Sequence, residues 1–158
     1  MNLAAIDHLI TAYSRVSFAN KTKFQKLKVV LARFYEQGID YILLKGADLI
    51  PRLYGVLGMH SMVDVDLLVH DKDLPAIARV LQELGYRTQI DGNPVFVDPD
   101  SALALDIITE VWYVDDQHTI WQRAVQRKFE GIPVKGMGGS DLLLYLIAYC
   151  VVHRGVLS

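Results

Sequence analysis

Two aspartates interrupt an otherwise apolar strand, and this feature limits what the chain can fold into more than any other. In Val63-Asp64-Val65-Asp66-Leu67-Leu68-Val69-His70 the alternation puts Val65, Leu67 and Val69 on one face. Asp64, Asp66, Leu68 and His70 fall on the other. Aspartate is a poor strand residue, so two of them in this setting call for a reason. Carboxylates two residues apart leave the same face about 7 Å apart at the backbone. They repel each other unless a cation lies between them. An oxygen-only ligand set suits magnesium, which keeps coordination positions open for phosphate oxygens. Asp-x-Asp alone is also common on exposed strand faces; the apolar setting gives it weight.

A second element precedes the acids. The apolar segment Tyr41-Ile42-Leu43-Leu44 reads as a short strand that ends at Lys45-Gly46 and opens a helical turn over residues 47–54. Pro51 must fall near the first turn of that helix or bend it, because it has no N–H to donate. Glycine lets a backbone approach a ligand closely, and free N–H groups at a helix start favour phosphate. Lys45 either meets a phosphate or lies exposed at the strand end, and a plain strand-to-helix turn would look the same.

The remaining periodicities place the rest. Residues 3–16 and 21–37 read as two helices separated at Ser17-Phe18-Ala19-Asn20, with Phe24, Leu27, Val30, Leu31 and Phe34 at helical spacing and Gly38 as a stop. After a loop over 55–62 and the acidic strand, Asp71 is the expected N-cap of a helix running to Leu84, ended by Gly85. Strands follow at 86–90 and 95–97, with turns at 91–94 and 98–101, then a strand at 103–108. Residues 117–128 are expected to be helical, 131–135 a strand, and a last helix starts near Ser140. This order implies one α+β domain, a mixed sheet with helices at both ends. Its expected parts are N-terminal helices over 1–38, a core over 39–137 and the start of a helical part over 138–158.

Composition excludes several classes. With 158 residues, 52% hydrophobic and 22% charged, the chain suits one folded domain and no disordered one. A lone cysteine, Cys150, forms no intramolecular disulfide and, lying in an apolar run, is expected to be buried and inert. The N-terminal segment has no positive n-region and no long apolar h-region, so a cytoplasmic location is expected. The most apolar stretch, 142–152, falls short of the roughly 20 residues that span a bilayer, so no membrane partner is expected. Residues 1–35 carry Arg15, Lys21, Lys23, Lys26, Lys28 and Arg33 against Asp7 alone, while the net charge of the whole is −2. A basic helix over 21–33 either pairs with the acidic body or contacts nucleic acid. Trp112 and Trp121 could stack a base, but burial habits favour reading them as core residues. His70, His118 and His153 lack metal spacing, and Arg52 and Arg87 have no orientation the sequence can assign.

Taken together, Leu44-Lys45-Gly46-Ala47, Leu53-Tyr54-Gly55 and Asp64-Val65-Asp66-Leu67-Leu68-Val69 resemble the uncharacterised bacterial nucleotidyltransferase family of the DNA polymerase beta-like nucleotidyltransferase superfamily. The resemblance covers residues 41–85, continues weakly through Leu105-Asp106-Ile107 and returns over 141–154. It implies a polymerase beta-type mixed sheet in which Asp64 and Asp66 hold magnesium and Asp106 completes the site from a neighbouring strand. The three carboxylates are then expected within a few ångströms of a common point. Glu110 is the reserve third acid; Asp98 and Asp100 fit less well because they sit in a turn.

Further implications are a nucleoside triphosphate substrate, ATP by expectation, two Mg2+ ions and a hydroxyl acceptor of unknown identity, with Lys45, Gly46, Ala47 and His60 on the nucleotide. The chain departs from the family pattern at three places. Gly46-Ala47 offers no hydroxyl where the superfamily usually has Gly-Gly or Gly-Ser, a change the narrower family shares; His60 stands where that family usually has arginine, and Ile108 where it often has histidine. Losing the arginine removes a fixed positive charge. A competing reading is therefore a protein that keeps the fold without turnover, as an antitoxin-like or regulatory binding partner. Finally, 142–152 is apolar on every side of a helix, which must then be buried all round. A second copy of the chain in a homodimer, further helices missing from a truncated chain, or the N-terminal helices are the expected covers.

Overall fold

A computed structural model describes residues 3–90 and 94–154. Of the expected turn at 91–94, residues 91–93 lie outside the described residues. Its elements are α1 (Leu3–Glu36), β1 (Tyr41–Leu43), α2 (Lys45–Leu49), β2 (Val65–Val69), α3 (Leu74–Glu83), β3 (Arg87–Ile90), β4 (Pro94–Val97), β5 (Ala104–Ile108), α4 (Gln117–Gln122), β6 (Val125–Phe129), β7 (Ile132–Gly136) and α5 (Gly139–Arg154). The strands form one seven-stranded sheet in the order β3-β4-β5-β2-β1-β7-β6. Two neighbouring pairs, β2 with β5 and β1 with β7, are parallel, and the other pairs are antiparallel. This is the mixed α+β sheet that the element order implied.

Each face of the sheet buries its own apolar set, as strand alternation requires. On one face, Leu43, Val65, Leu67, Leu105 and Ile107 pack with Phe24, Leu27, Leu31 and Phe34 of α1 and Ile77 and Leu81 of α3. On the other, Ile42, Leu44 and Leu68 pack with Ile120 of α4 and Leu142 and Tyr145 of α5. Asp66 shares the second face with Leu68.

Five local expectations are corrected. The break at 17–20 does not occur: α1 runs unbroken, with no glycine or proline there to stop it. Asn20 is buried instead as a tie to the loop before β2. Its Nδ2 donates to the carbonyls of Leu57 and His60, both at 2.7 Å, and its Oδ1 accepts from the Met62 N–H at 3.2 Å. Asp71 is not an N-cap; residues Asp71–Asp73 form a 3-10 turn, and α3 begins without a side-chain cap, with proline in its first turn. The helix expected over 117–128 stops at Gln122, and Val125–Phe129 pairs with β7 as a hairpin. Its two-residue loop, Glu130-Gly131, has φ of +50° and +89°, the left-handed pair that a tight hairpin with strand-matching twist needs. Lastly, Cys150 and Trp112 are exposed rather than buried.

Two residues of the basic helix pair with acids of the body. Lys26 reaches Asp98 at 2.5 Å and Asp100 at 2.7 Å, and Arg33 reaches Glu83 at 3.1 Å. Lys23 donates to the Met62 carbonyl. On α5, by contrast, Leu143, Leu144, Ile147 and Val151 form an exposed apolar stripe facing away from the sheet. No helix among the described residues is long and apolar enough to cross a membrane.

Candidate active site

The parallel pairing of β2 with β5 sets the site. Asp66 and Asp106 are direct register partners, so their side chains leave adjacent strands, about 4.8 Å apart, on the same face. Asp64 lies two residues earlier, just before β2 begins, and points the same way by alternation. All three line a cleft of about 410 Å³ with Lys45, Glu110 and Trp112, closed on one side by Tyr145 and Tyr149 of α5. The other notable hollow, about 390 Å³ beside Tyr41 and Asp40, has its carboxylate paired with Lys135 at 2.6 Å.

Electrostatics in the cleft are dominated by burial. Asp66 is 3% exposed, and burial raises its pKa above the ordinary aspartate value; Lys45 opposes the rise, while Asp64 and Asp106 add to it. Asp106 is raised too, by burial first, with Lys45 opposing and Asp64 adding. The Asp106 Oδ1 atom is buried with no hydrogen-bond partner, an arrangement that costs free energy unless something binds it. Behind Asp64 stands Lys23, whose pKa burial lowers although Asp64 pulls the other way.

Lys45 is the local counter-charge. Its Nζ donates to Asp66 Oδ1 at 2.6 Å and lies 4.2 Å from the Tyr149 ring centroid and 5.9 Å from that of Tyr145. Its backbone takes a left-handed φ of +45°, which costs on the order of 1–3 kcal/mol for a non-glycine residue. The short helix that follows is held from below by the buried Asp48, which pairs with Arg127 of β6 at 3.4 Å and Arg52 at 3.6 Å. Arg127 also donates to the Met137 carbonyl at 2.9 Å. Arg52 thus faces Asp48, not the cleft.

The expected gathering of three carboxylates about one point is not met as the side chains stand. Among the described residues, no three His, Cys, Asp or Glu side chains are close enough together to hold a metal ion. Beside Asp66 the Lys45 ammonium, 2.6 Å from its Oδ1, is the counter-charge already in place. The donor chemistry nevertheless fits a hard divalent cation: three carboxylates in one cleft, one with an orphaned buried oxygen.

The other expected nucleotide contacts divide. Lys45 lines the cleft, whereas Gly46, Ala47 and His60 do not. Ala47 is packed in the core, and His60 stacks on Tyr54 with ring centroids 5.9 Å apart. A Cβ on Gly46 would meet Met62 Cγ at 3.5 Å, an ordinary contact, so packing does not demand glycine there. Of the reserve acids, Glu110 lines the cleft; Asp98 instead accepts from the Leu103 N–H at 2.6 Å and ties its turn to Lys26. Sequence reasoning missed Tyr145 and Tyr149 as cleft residues and favoured the core for Trp112. The i, i+4 tyrosines of the last helix were a visible signal; the exposure of Trp112 had none. Trp121 stacks on His70, ring centroids 3.8 Å apart, and packs on the Leu68 face of the sheet outside the cleft.

Solved structures share this architecture. The antibiotic-resistance factor ANT(2'')-Ia in solution has a TM-score of 0.63 at 16% identity, covering 87% of this chain and 75% of that one. A crystal structure of ANT(2'')-Ia in complex with adenylyl-2''-tobramycin gives 0.62 at 15% identity, over 82% and 76% of the two chains. The lincosamide antibiotic adenylyltransferase LnuA, lincomycin-bound, gives 0.57 at 15% identity, over 76% and 83%. At such identities the likeness establishes the fold, which is that of the polymerase beta-like nucleotidyltransferases. No curated protein matches the chain in sequence. The sequence pattern of one family, described as uncharacterised nucleotidyltransferase, matches residues 3–157, nearly the whole of this chain, which therefore belongs to the uncharacterised nucleotidyltransferase family.

Proposed function

We propose that the chain transfers a nucleoside monophosphate from a nucleoside triphosphate, ATP by expectation, to a hydroxyl acceptor, with Asp64, Asp66 and Asp106 holding two Mg2+ ions. The observation that carries this reading is the register pairing of Asp66 with Asp106 beside Asp64 in one cleft. When bound, the cations would neutralise the triphosphate and polarise the acceptor hydroxyl. Asp66 on β2 and Asp64 just before it would hold them, and Asp106 on β5 would hold the hydroxyl side. From the hydroxyl side, Asp106 would be placed to assist in taking the proton that the attacking hydroxyl loses. Lys45 meets the negative charge of the phosphates, and the backbone at Gly46 lies next to it. Tyr145 and Tyr149 exclude water from one wall, and Trp112 offers an aromatic face to a base or to the acceptor. A cytoplasmic setting goes with this chemistry.

Magnesium-dependent nucleotide binding tests it. Calorimetric titration of a non-hydrolysable ATP analogue should show binding with Mg2+ that is lost in Asp64→Ala/Asp66→Ala. Absence of nucleotide binding by the unaltered chain would instead favour the non-catalytic, regulatory alternative.

A further inference from the structure

The geometry points to a second role for Lys45: it is the resident counter-ion of the acid cluster, and the triphosphate must draw it off Asp66 before a divalent cation can bind there. This inference rests on the metal and nucleotide reading above and adds to it an order of events. Cation and nucleotide then bind interdependently, each weakly alone.

Three observations support the role. The Lys45 ammonium sits 2.6 Å from Asp66 Oδ1, and the two side chains are 21% and 5% exposed. A pair this far out of water is not loosened by solvent or salt as a surface pair is. A metal ion at the same oxygen must therefore displace a held positive charge. Second, Lys45 has a left-handed φ of +45° although it carries a side chain. Glycine, the residue that tolerates this conformation, stands one place later. Strain of this kind persists where the surroundings over-determine it, and it points from the outlier towards function. Third, the ring of Tyr149 lies 4.2 Å from Nζ, within the range at which an aromatic face attracts a cation. Tyr149 belongs to α5, so it offers the ammonium a second resting place when Asp66 is taken.

The consequence is selective loading. Without nucleotide, the cluster is already partly neutralised and has little to gain from a cation. Phosphate oxygens entering the cleft compete for the ammonium, release Asp66 and bring cation ligands of their own. The chain would then load metal together with its nucleotide.

Manganese binding without turnover tests this directly. Free Mn2+ is titrated by electron paramagnetic resonance against the full chain and against Lys45→Met, with and without a non-hydrolysable ATP analogue. In the unaltered chain the analogue should tighten Mn2+ binding by about tenfold or more, a usual size for coupled sites. Lys45→Met should bind Mn2+ about tenfold more tightly without the analogue and show little further gain with it. Lys45→Gly, which removes the charge and the backbone strain together, should behave as Lys45→Met does. If both variants bind Mn2+ no better than the unaltered chain, the counter-ion role is wrong, while the metal site stands. If no protein binds Mn2+ under any condition, the metal and nucleotide reading fails, and this inference falls with it.

Discussion

Asp66→Asn asks whether the acid cluster weighs on the fold until a cation arrives. Asp66 is buried, and burial, helped by Asp64 and Asp106, raises its pKa against the pull of Lys45. A carboxyl that holds its proton more tightly folded than unfolded favours folding at low pH. That contribution is lost as pH rises from the ordinary aspartate value through the folded one. One proton held only by the native state makes the unfolding free energy fall by about 1.4 kcal/mol per pH unit in that window. For a chain of this length, melting temperature moves about 2–4 °C per kcal/mol, so the slope is roughly 3–6 °C per pH unit. Asp106, raised for the same reason, adds in the same direction. Asparagine removes the Asp66 contribution yet keeps an oxygen for the Lys45 hydrogen bond. Melting curves recorded without metal from about pH 4 to about pH 7 should therefore fall less steeply for Asp66→Asn, which should be at least as stable as the unaltered chain at the upper end. Magnesium should raise the melting temperature of the unaltered chain by binding its native state and leave the variant where it was. Parallel curves, or a magnesium response intact in Asp66→Asn, would refute the reasoning.

Three further outcomes are expected. Trp112→Ala, at a residue 61% exposed and in edge contact with Tyr113, should cost about 1 kcal/mol of stability while weakening nucleotide or acceptor binding roughly tenfold; calorimetry that finds binding unchanged would remove Trp112 from the site. Asp98→Ala leaves the buried Leu103 N–H without its acceptor and should lower stability by about 1–3 kcal/mol. Because the Lys26 and backbone hydrogen bonds outweigh burial and depress the Asp98 pKa, its contribution is present above the ordinary aspartate value and lost as pH falls through the folded one, a window opposite to that of Asp66. The exposed stripe of α5 should drive self-association: light scattering is expected to find a dimer that Ile147→Glu dissociates, and a monomer with little binding of an apolar-surface dye would show the stripe to be tolerated.

What could be read in the chain, and what could not, follows from the reach of the interactions involved. The acidic strand was legible because two aspartates inside an apolar run conflict with local preference, and such conflicts mark function. Asp106 was legible for the same reason. Its register against Asp66 was not, because that pairing joins strands 40 positions apart. Asn20 looked like a helix break since its partners, Leu57, His60 and Met62, lie far along the chain. Val125–Phe129 resembled a helix continuation, and only the Glu130-Gly131 turn hinted at a hairpin. The Lys45 pairing with Asp66 joins the two motifs that local reading had found separately. It could be seen only once β1 and β2 were neighbours.

The central claim is that Asp64, Asp66 and Asp106 together form the metal site of a nucleotidyltransferase. Anomalous scattering from crystals grown with Mn2+ and a non-hydrolysable ATP analogue tests it most directly. The account predicts two peaks about 3.5–4 Å apart, one between Asp64 and Asp66 alone and one shared with Asp106, with Lys45 moved onto the phosphates. Nucleotide bound in the cleft with manganese elsewhere, or with Lys45 still on Asp66 and no peak beside it, would contradict it.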